Sequence, residues 1–307
     1  MILRSKSFHQ TRKGIARHWR LYVLLLLPLA WLIIFKYVPM YGLQIAFKDY
    51  IMRDGFFGSK WVGLKHFENF IGSYYFSRLI TNTAGLNIFN VVASFFPPII
   101  LAIALNECRL KFFKKSIQMI TYAPYFLSTV VVVGILIQIL SPTGIVNMII
   151  VMFGGEAVSF MSEASIFKGI YVLSDIWQKT GYNSIIYIAA LAGINPEQQE
   201  AAEIDGANIW QRIWNVDIPG IMPTAIILFI ISTANILNVG FEKVYLMQNP
   251  LNMSSSDIIA TYTYRMGLVD MNYSFATAVG FFQSAISLIF MTIVNKIAKK
   301  VSDVSLW

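Results

Sequence analysis

Six apolar stretches, each long enough to cross a lipid bilayer, constrain this chain more than any other feature of its sequence. An α-helix needs about 20 apolar residues to cross roughly 30 Å of hydrocarbon. The stretches run from Leu21 to Gln44, Thr83 to Asn106, Ile117 to Leu140, Phe167 to Ala192, Ile221 to Gly240, and Phe275 to Ile297. They predict an all-α integral membrane protein with about six transmembrane helices.

The composition excludes a soluble globular fold. Only 13% of the residues are charged and 56% are hydrophobic, whereas soluble domains carry about 25% charged residues. We divide the chain into a basic cytoplasmic segment (1–20), one transmembrane domain (21–297) and a cytoplasmic tail (298–307). A shorter apolar stretch, Ile145 to Phe153, cannot cross and is predicted to be an extracellular interfacial or re-entrant segment.

Lys and Arg residues predict the orientation, because cytoplasmic loops carry an excess of both. With the N-terminus inside, the inner segments hold twice as many of them as the outer loops. Both termini are therefore predicted to be cytoplasmic. Six basic residues fall in the first 20 positions, and anionic lipid headgroups explain them better than nucleic acid does. The first apolar stretch is too long for a cleavable signal peptide, although Lys36 within it must snorkel outward or find a partner.

The loop between the fourth and fifth stretches, residues 195–223, is unlike the rest of the chain, and we call it the coupling loop. Asn195 suits an N-cap and Pro196 suits the first helical position. Gln198 lies three residues after Asn195, the position at which a capping box has Glu or Gln. Gly206 can take the left-handed conformation that ends a helix. The loop is predicted to form a short helix, a glycine bend and a second helix.

The composition of the coupling loop suggests contact with another protein. A helix this short is marginal alone. Its small residues permit close approach and its carboxylates can meet Arg or Lys, while Trp210, Ile213 and Trp214 form an apolar face on the second helix. From the residues alone, a docking surface and a simple capped interfacial loop are equally supported.

A family resemblance favours the docking surface. The order Glu200-Ala-Ala, Gly206 and then Ile218-Pro219 resembles the EAA motif of ABC importer permeases, E-A-A-x-x-x-G followed by I-x-L-P, with Ile218 in place of Leu. In that family the motif forms the coupling helix, which sits in a cleft of the ATPase subunit. The resemblance implies these coupling residues: Glu200, Ala201, Ala202, Glu203, Asp205, Gly206, Ala207, Trp210 and Pro219.

The resemblance extends along nearly the whole chain. Trp61-Val-Gly-Leu-Lys-His-Phe resembles the carbohydrate permeases of the maltose-transporter class, and Phe35-Lys-Tyr-Val-Pro resembles their polysaccharide and complex-oligosaccharide branch. This implies a type I ABC importer permease (MetI-like) fold in the plasma membrane of a bacterium. It also implies a second homologous permease, two ATPase subunits, an extracellular lipid-anchored solute-binding protein and an oligosaccharide substrate.

Missing motifs narrow the function further. The sequence contains no G-x-x-x-x-G-K-[ST], so ATP and Mg²⁺ are expected on partner subunits, and no cofactor or covalent chemistry is expected in this chain. One Cys and three scattered His argue against a metal site. Four of the six stretches lack charged residues at depth, which disfavours an ion-driven transporter. Asp175 and Lys179 in the fourth are spaced i, i+4 and suit a self-neutralising pair, for which a structural role is favoured over a functional one.

Amide and aromatic side chains at membrane depth suit a neutral sugar, which offers hydroxyls and apolar C–H faces. The candidates are Asn87, Asn90, Tyr122, Tyr125, Gln138, Trp177, Tyr182, Asn183, Asn235, Asn238 and Gln283. Each could instead bridge helices or mark the membrane interface. Two other functions stay open: import of a non-sugar solute such as a peptide or phosphate ester, and a membrane-embedded glycosyl or lipid transferase.

Overall fold

The computed structural model describes residues 18–234, 237 and 240–302, and these residues are almost entirely helical. The helices are α1 (Trp19–Leu32), α2 (Gly55–Gly58), α3 (Lys65–Ile71), α4 (Phe76–Glu107), α5 (Lys111–Tyr122), α6 (Thr129–Ile139), α7 (Ile145–Met152), α8 (Phe167–Ala192), α9 (Pro196–Ile204), α10 (Ile209–Arg212), α11 (Ile218–Ala234), α12 (Phe241–Met247), α13 (Met253–Ser256), α14 (Ile259–Tyr264) and α15 (Tyr273–Ser302). Strands β1 (Lys48–Asp49) and β2 (Lys60–Trp61) pair antiparallel. Segments of 3₁₀- or π-helix are Ile33–Tyr37, Val38–Phe47, Ala123–Phe126, Phe160–Ser162, Ile213–Asp217 and Arg265–Val269.

Four helical stretches of the described chain are long and apolar enough to cross a membrane. They are Trp19–Phe47, Phe76–Glu107, Ile209–Thr233 and Tyr273–Ile297. Each begins before the predicted span that it overlaps, because apolarity marks only the hydrocarbon core, whereas the helix continues through the polar headgroup region. The described part of α11 ends at Ala234, and the predicted end of the fifth span at Gly240 follows residues 235, 236, 238 and 239, which lie outside the described part of the chain.

The predicted span from Ile117 to Leu140 is broken in the structure. Residues Lys111–Phe126 and Thr129–Ile139 are two helical pieces that meet at 101°. Pro124 has no N–H to donate to the preceding turn, and Leu127 and Ser128 are extended. The Ser128 side chain then caps α6 by accepting a hydrogen bond from the N–H of Val131 at 3.4 Å. A proline followed by a serine cap therefore ends one helix and starts another.

Helix α8 spans the residues predicted for the fourth crossing. Its 26 residues cover about 39 Å at 1.5 Å per residue, which is enough to cross. Its charged side chains make it less apolar than the four stretches above. It packs most extensively against α4, and Tyr171 and Val172 are buried there with Leu86. Helix α8 is thus the centre of the bundle. The predicted short segment from Ile145 forms α7, with 8 residues.

Helix α1 makes few contacts with the rest of the described chain. Every residue from Trp19 to Tyr41 is exposed, including Lys36. Lys36 forms no hydrogen bond or ion pair with residues 18–234, 237 or 240–302. The expectation that it snorkels or finds a partner outside this chain stays a prediction.

The β-hairpin and α3 form a small platform on one end of α15. The Phe47 ring stacks on Trp61 with centroids 5.7 Å apart and meets Phe281 edge-on. Beside them, the Lys65 ammonium donates to the Asp49 carboxylate at 2.8 Å, and this hydrogen bond holds the pKa of Asp49 below its usual range. Aromatic packing and the contacts of Asp49 with Lys65 and His66 therefore hold the platform together.

Helices α5 and α8 approach so closely that their contact requires a glycine. A Cβ atom added at Gly181 would overlap the carbonyl oxygen of Thr121 and lie 2.9 Å from the backbone nitrogen of Tyr122. These are backbone atoms, so no rotamer change can make room. Gly181 therefore sets the distance between the broken span and the central helix.

Candidate functional site

The first helix of the coupling loop begins as its sequence predicts. Helix α9 starts at Pro196, whose missing N–H costs nothing in the first turn. The side chain of Asn195 accepts a hydrogen bond from the N–H of Glu197 at 3.1 Å. The predicted capping box with Gln198 is wrong, because the Asn195 side chain caps Glu197, the residue before Gln198.

The glycine bend is closed by a pair of backbone hydrogen bonds. Gly206 has φ of +76°, a conformation that residues with a Cβ rarely adopt. The N–H of Ala207 donates to the carbonyl of Ala202 at 2.9 Å, and the N–H of Gly206 donates to Glu203 at 3.1 Å. These two bonds form a Schellman motif, so the predicted bend is confirmed.

The reciprocal capping box forms at the second helix instead. The N–H of Gln211 donates to the side chain of Asn208 at 3.0 Å, and the N–H of Asn208 donates to the side chain of Gln211 at 2.7 Å. Helix α10 therefore has a defined start despite its four residues.

Arg212 holds the coupling loop to the bundle. Its guanidinium donates to Glu203 on α9 and, at 3.1 Å, to Glu107 at the end of α4. Gln199 also donates to the buried carboxylate of Asp217 at 2.7 Å. Glu203 was predicted to meet a cation of a partner, but the structure pairs it within this chain. The sequence signal missed was that Arg212 is the one cation between residues 195 and 223.

Replacing Arg212 with Met is expected to loosen the loop. The side chains of Arg212 and Glu107 are only 14% and 19% exposed, so the variant leaves a largely buried carboxylate without its cation. We expect a loss of about 1 to 3 kcal/mol in unfolding free energy, measured by thermal unfolding in detergent. Glu203→Gln is the control and should lose less, because Glu203 is 58% exposed. Equal losses would contradict the role of Glu107.

The outer surface of α9 offers two free carboxylates around an apolar tip. The side chains of Glu200 and Asp205 are exposed and make no hydrogen bond or ion pair with the described residues. Ala201 is exposed beside them, and Ile204 is 86% exposed. The sequence analysis missed Ile204, although its place three residues after Ala201 on a short helix puts it on the same face.

The second helix lines an apolar groove with α4. Trp210 and Trp214 are 69% and 66% exposed, and together with Ile213 they face Phe96 and Ile100 across a groove of about 580 Å³. The predicted apolar face is therefore present. Pro219 is exposed in the first turn of α11.

A polar cavity of about 300 Å³ lies between α4, α8 and α11. Three predicted substrate residues, Asn87, Asn90 and Asn183, line it together. The lining also includes the polar residues Ser94, Asp175, Lys179, Thr180 and Ser232 and the aromatic residues Phe95, Tyr187 and Phe229. Amides, hydroxyls and aromatic rings thus share one space inside an apolar bundle.

The remaining substrate candidates lie elsewhere. Tyr125 and Tyr182 stack on each other with centroids 3.8 Å apart, and Tyr122 ends α5 against Gly181. Trp177 and Gln138 are exposed outside the cavity. The side chain of Gln283 donates to the carbonyl of Leu237 at 2.5 Å. Asn235 and Asn238 lie outside the described residues. The position of a residue along the membrane normal did not indicate whether its side chain faces the cavity.

The predicted ion pair of α8 is part of a larger charge cluster. The Lys179 ammonium lies 2.9 Å from Oδ1 of Asp175. A second ammonium, Lys243 on α12, lies 3.4 Å from the same oxygen, and Asn90 donates to Oδ2 at 3.2 Å. The comparison of Lys and Arg between inner and outer segments placed Lys243 in an outer loop; its side chain is only 6% exposed. One carboxylate therefore faces two ammonium groups.

The family model for binding-protein-dependent transport system inner membrane components matches residues 98–303, which is more than half of the chain. The chain belongs to this family. The match covers the coupling loop and the α8 and α11 walls of the cavity, whereas the cavity residues of α4 from Asn87 to Phe95 precede it. Its several apolar helices fit a multi-pass membrane protein.

Relatives of this permease cover nearly its full length. It is 43% identical to Protein LplB of Bacillus subtilis (strain 168), over 91% of this chain and 88% of that protein. It is 40% identical to the polygalacturonan/rhamnogalacturonan transport system permease protein YteP of the same organism, over 92% and 88%. A chain in the crystal structure of a bacterial ABC transporter involved in the import of the acidic polysaccharide alginate matches with TM-score 0.89 and 38% identity, over 95% and 99%.

Proposed function

We propose that this permease is the membrane-spanning subunit of an ATP-driven importer of oligosaccharides in a bacterial plasma membrane. Both termini would be cytoplasmic. The complete importer would contain a second related permease, two ATPase subunits and an extracellular lipid-anchored solute-binding protein. ATP and Mg²⁺ would bind to the ATPase subunits, and this chain would catalyse no covalent chemistry.

The shape of the coupling loop carries the proposal. Helix α9 projects two free carboxylates, Glu200 and Asp205, around the exposed Ile204. A partner with a basic, apolar-floored cleft would fit this surface, and the carboxylates would give it orientation. The EAA-like residues Ala201 and Ala202 keep this face flat enough for close approach.

The contacts of the coupling loop connect it to the polar cavity. Arg212 joins it to Glu107 at the end of α4, and Gln199 joins it to Asp217 just before α11. Both α4 and α11 line the cavity. A push on α9 by closing ATPase subunits would therefore reach two of the three cavity walls, as alternating access requires.

The cavity supports a sugar as the transported solute. Its amides can bond to hydroxyls and its aromatic rings can pack on C–H faces. The relatives named for polygalacturonan, rhamnogalacturonan and alginate transport support the same substrate class. A membrane-embedded transferase gains no support from these relatives.

Glu200→Lys tests the coupling role. The change reverses an exposed charge that contacts no described residue of this chain, so folding and membrane insertion should persist. In proteoliposomes with the ATPase subunits and the binding protein, we expect at least a tenfold loss of uptake, because the new ammonium would repel a basic cleft. The control is Glu156→Lys, the same change at an exposed residue outside the coupling loop. Unchanged uptake by Glu200→Lys would refute the proposal.

A further inference from the structure

One carboxylate and two ammonium groups lie at the cavity wall and directly behind it. The charged residues that line it in the described chain are Asp175 and Lys179, and Lys243 contacts Asp175 from behind. The Lys243 ammonium also donates to the carbonyl of Tyr171 at 3.3 Å and lies 4.8 Å from the centre of its ring. Burial and the neighbouring Lys179 lower the pKa of Lys243 to about 8, whereas Asp175 favours its charged form, so that the ammonium persists at neutral pH. Two cations therefore share one anion.

Asp175 does not need Lys179 for its neutralisation. The carboxylate is 4% exposed and keeps two other partners, Lys243 at 3.4 Å and the amide of Asn90 at 3.2 Å. A buried carboxylate with a buried ammonium and an amide donor is already paired. Lys179, the nearer of the two cations at 2.9 Å, can therefore also meet a solute without leaving Asp175 unpaired.

Lys179 is also the cation that a solute in the cavity can reach. Its side chain is 48% exposed, against 6% for Lys243. An ammonium has three donors, and the one hydrogen-bonding partner of Lys179 among the described residues is Asp175. Asn183 lies one turn further along α8, lines the same cavity and makes no hydrogen bond with a described residue. A charged donor and an amide thus stand side by side on one helix face.

We infer that Lys179 binds a carboxylate of the transported sugar, which makes it a specificity-determining residue for acidic, uronate-bearing oligosaccharides. The inference rests on the proposed import of oligosaccharides and names the substrate class. It also revises the expectation of a neutral sugar. That expectation came from the amide and aromatic side chains at membrane depth, whereas the charged helix α8 lines the cavity.

The experiment compares acidic sugars with their neutral esters on the purified importer. A panel of uronate trisaccharides, each paired with its fully methyl-esterified form, is tested for binding to the permease–ATPase assembly in nanodiscs by saturation-transfer NMR. The binding protein is left out, so that its own selectivity does not decide the result. We expect the wild type to prefer at least one acid over its ester by tenfold or more.

Substitutions at Lys179 separate recognition from folding. Lys179→Met should bring the acid-to-ester preference close to one while leaving ester binding and thermal unfolding unchanged, because Asp175 keeps Lys243 and Asn90. Lys179→Arg should retain the preference. Lys168→Met is the matched control, since it removes a lysine of the same helix that does not line the cavity; it should also retain the preference.

Several results would overturn the inference. They are a wild type without preference for any acid, a Lys179→Met variant that keeps the preference, and equal losses of acid and ester binding. A wild type that binds no acid while the complete importer takes up neutral oligosaccharides would overturn the inference and leave the proposed function intact. Absence of ATP-dependent uptake of every oligosaccharide by the complete importer would instead refute the proposed function.

Discussion

Gly181→Ala is expected to prevent α5 and α8 from packing as they do in the native bundle. The new methyl group would overlap the carbonyl oxygen of Thr121, which belongs to the backbone of another helix. Overpacking against mobile side chains costs about 1 to 3 kcal/mol, and backbone cannot yield by changing rotamer. We therefore expect a large loss of folded protein and a lower melting temperature in detergent, measured by fluorescence-detected size-exclusion chromatography.

Gly169→Ala is the matched control for this variant. Gly169 lies on the same helix, and a Cβ atom there would meet nothing within 4 Å. Since Ala has the higher helix propensity by up to about 1 kcal/mol, this variant should be as stable as the wild type or more so. Equal melting temperatures for the two variants would contradict the close approach of α5 and α8.

Gly206→Val is expected to abolish uptake while the protein still inserts and folds. Gly206 has φ of +76°, and a residue with a Cβ pays about 1 to 2 kcal/mol for this conformation, with β-branched residues the least tolerant. The strain would open the two hydrogen bonds that close the bend, so α9 would no longer present its carboxylates in one orientation. ATP hydrolysis and uptake in proteoliposomes measure the loss of coupling.

Gly206→Asn separates the bend from side-chain bulk. Asn adopts the left-handed conformation far more readily than Val, so this variant should keep most of the uptake. If Asn and Val reduced uptake equally, the conformation of Gly206 would not be what matters. If neither reduced it, the coupling role of the bend would be refuted.

Local features of the coupling loop could be predicted from the sequence. Asn195, Pro196 and Gly206 act on their own backbone neighbours, so their positions alone indicate where α9 starts and where it bends. The limits of α8 were also predictable, because apolar residues fill its length between polar ends. The wrong prediction for Gln198 also concerns a local contact. The Asn195 side chain could cap the N–H of either Glu197 or Gln198, and in the structure it caps Glu197.

Contacts between distant segments could not be predicted. Lys243 lies 68 residues from Asp175, and Glu107 lies 105 residues from Arg212. Sequence spacing within one helix revealed the pair of Asp175 with Lys179. It did not reveal Lys243, the second ammonium that contacts the same carboxylate. For the same reason the amides at membrane depth were predicted as one group, whereas Asn87, Asn90 and Asn183 alone among the described candidates share the cavity.

The closed hydrogen bonding of α9 and its bend has a consequence for assembly. A segment that already holds its bound shape gives up little conformational freedom when a neighbour covers it. The binding affinity would then depend on a few outward-facing side chains, because no disordered segment has to become ordered. A rigid α9 would also transmit a movement of the neighbour to the bundle without deforming.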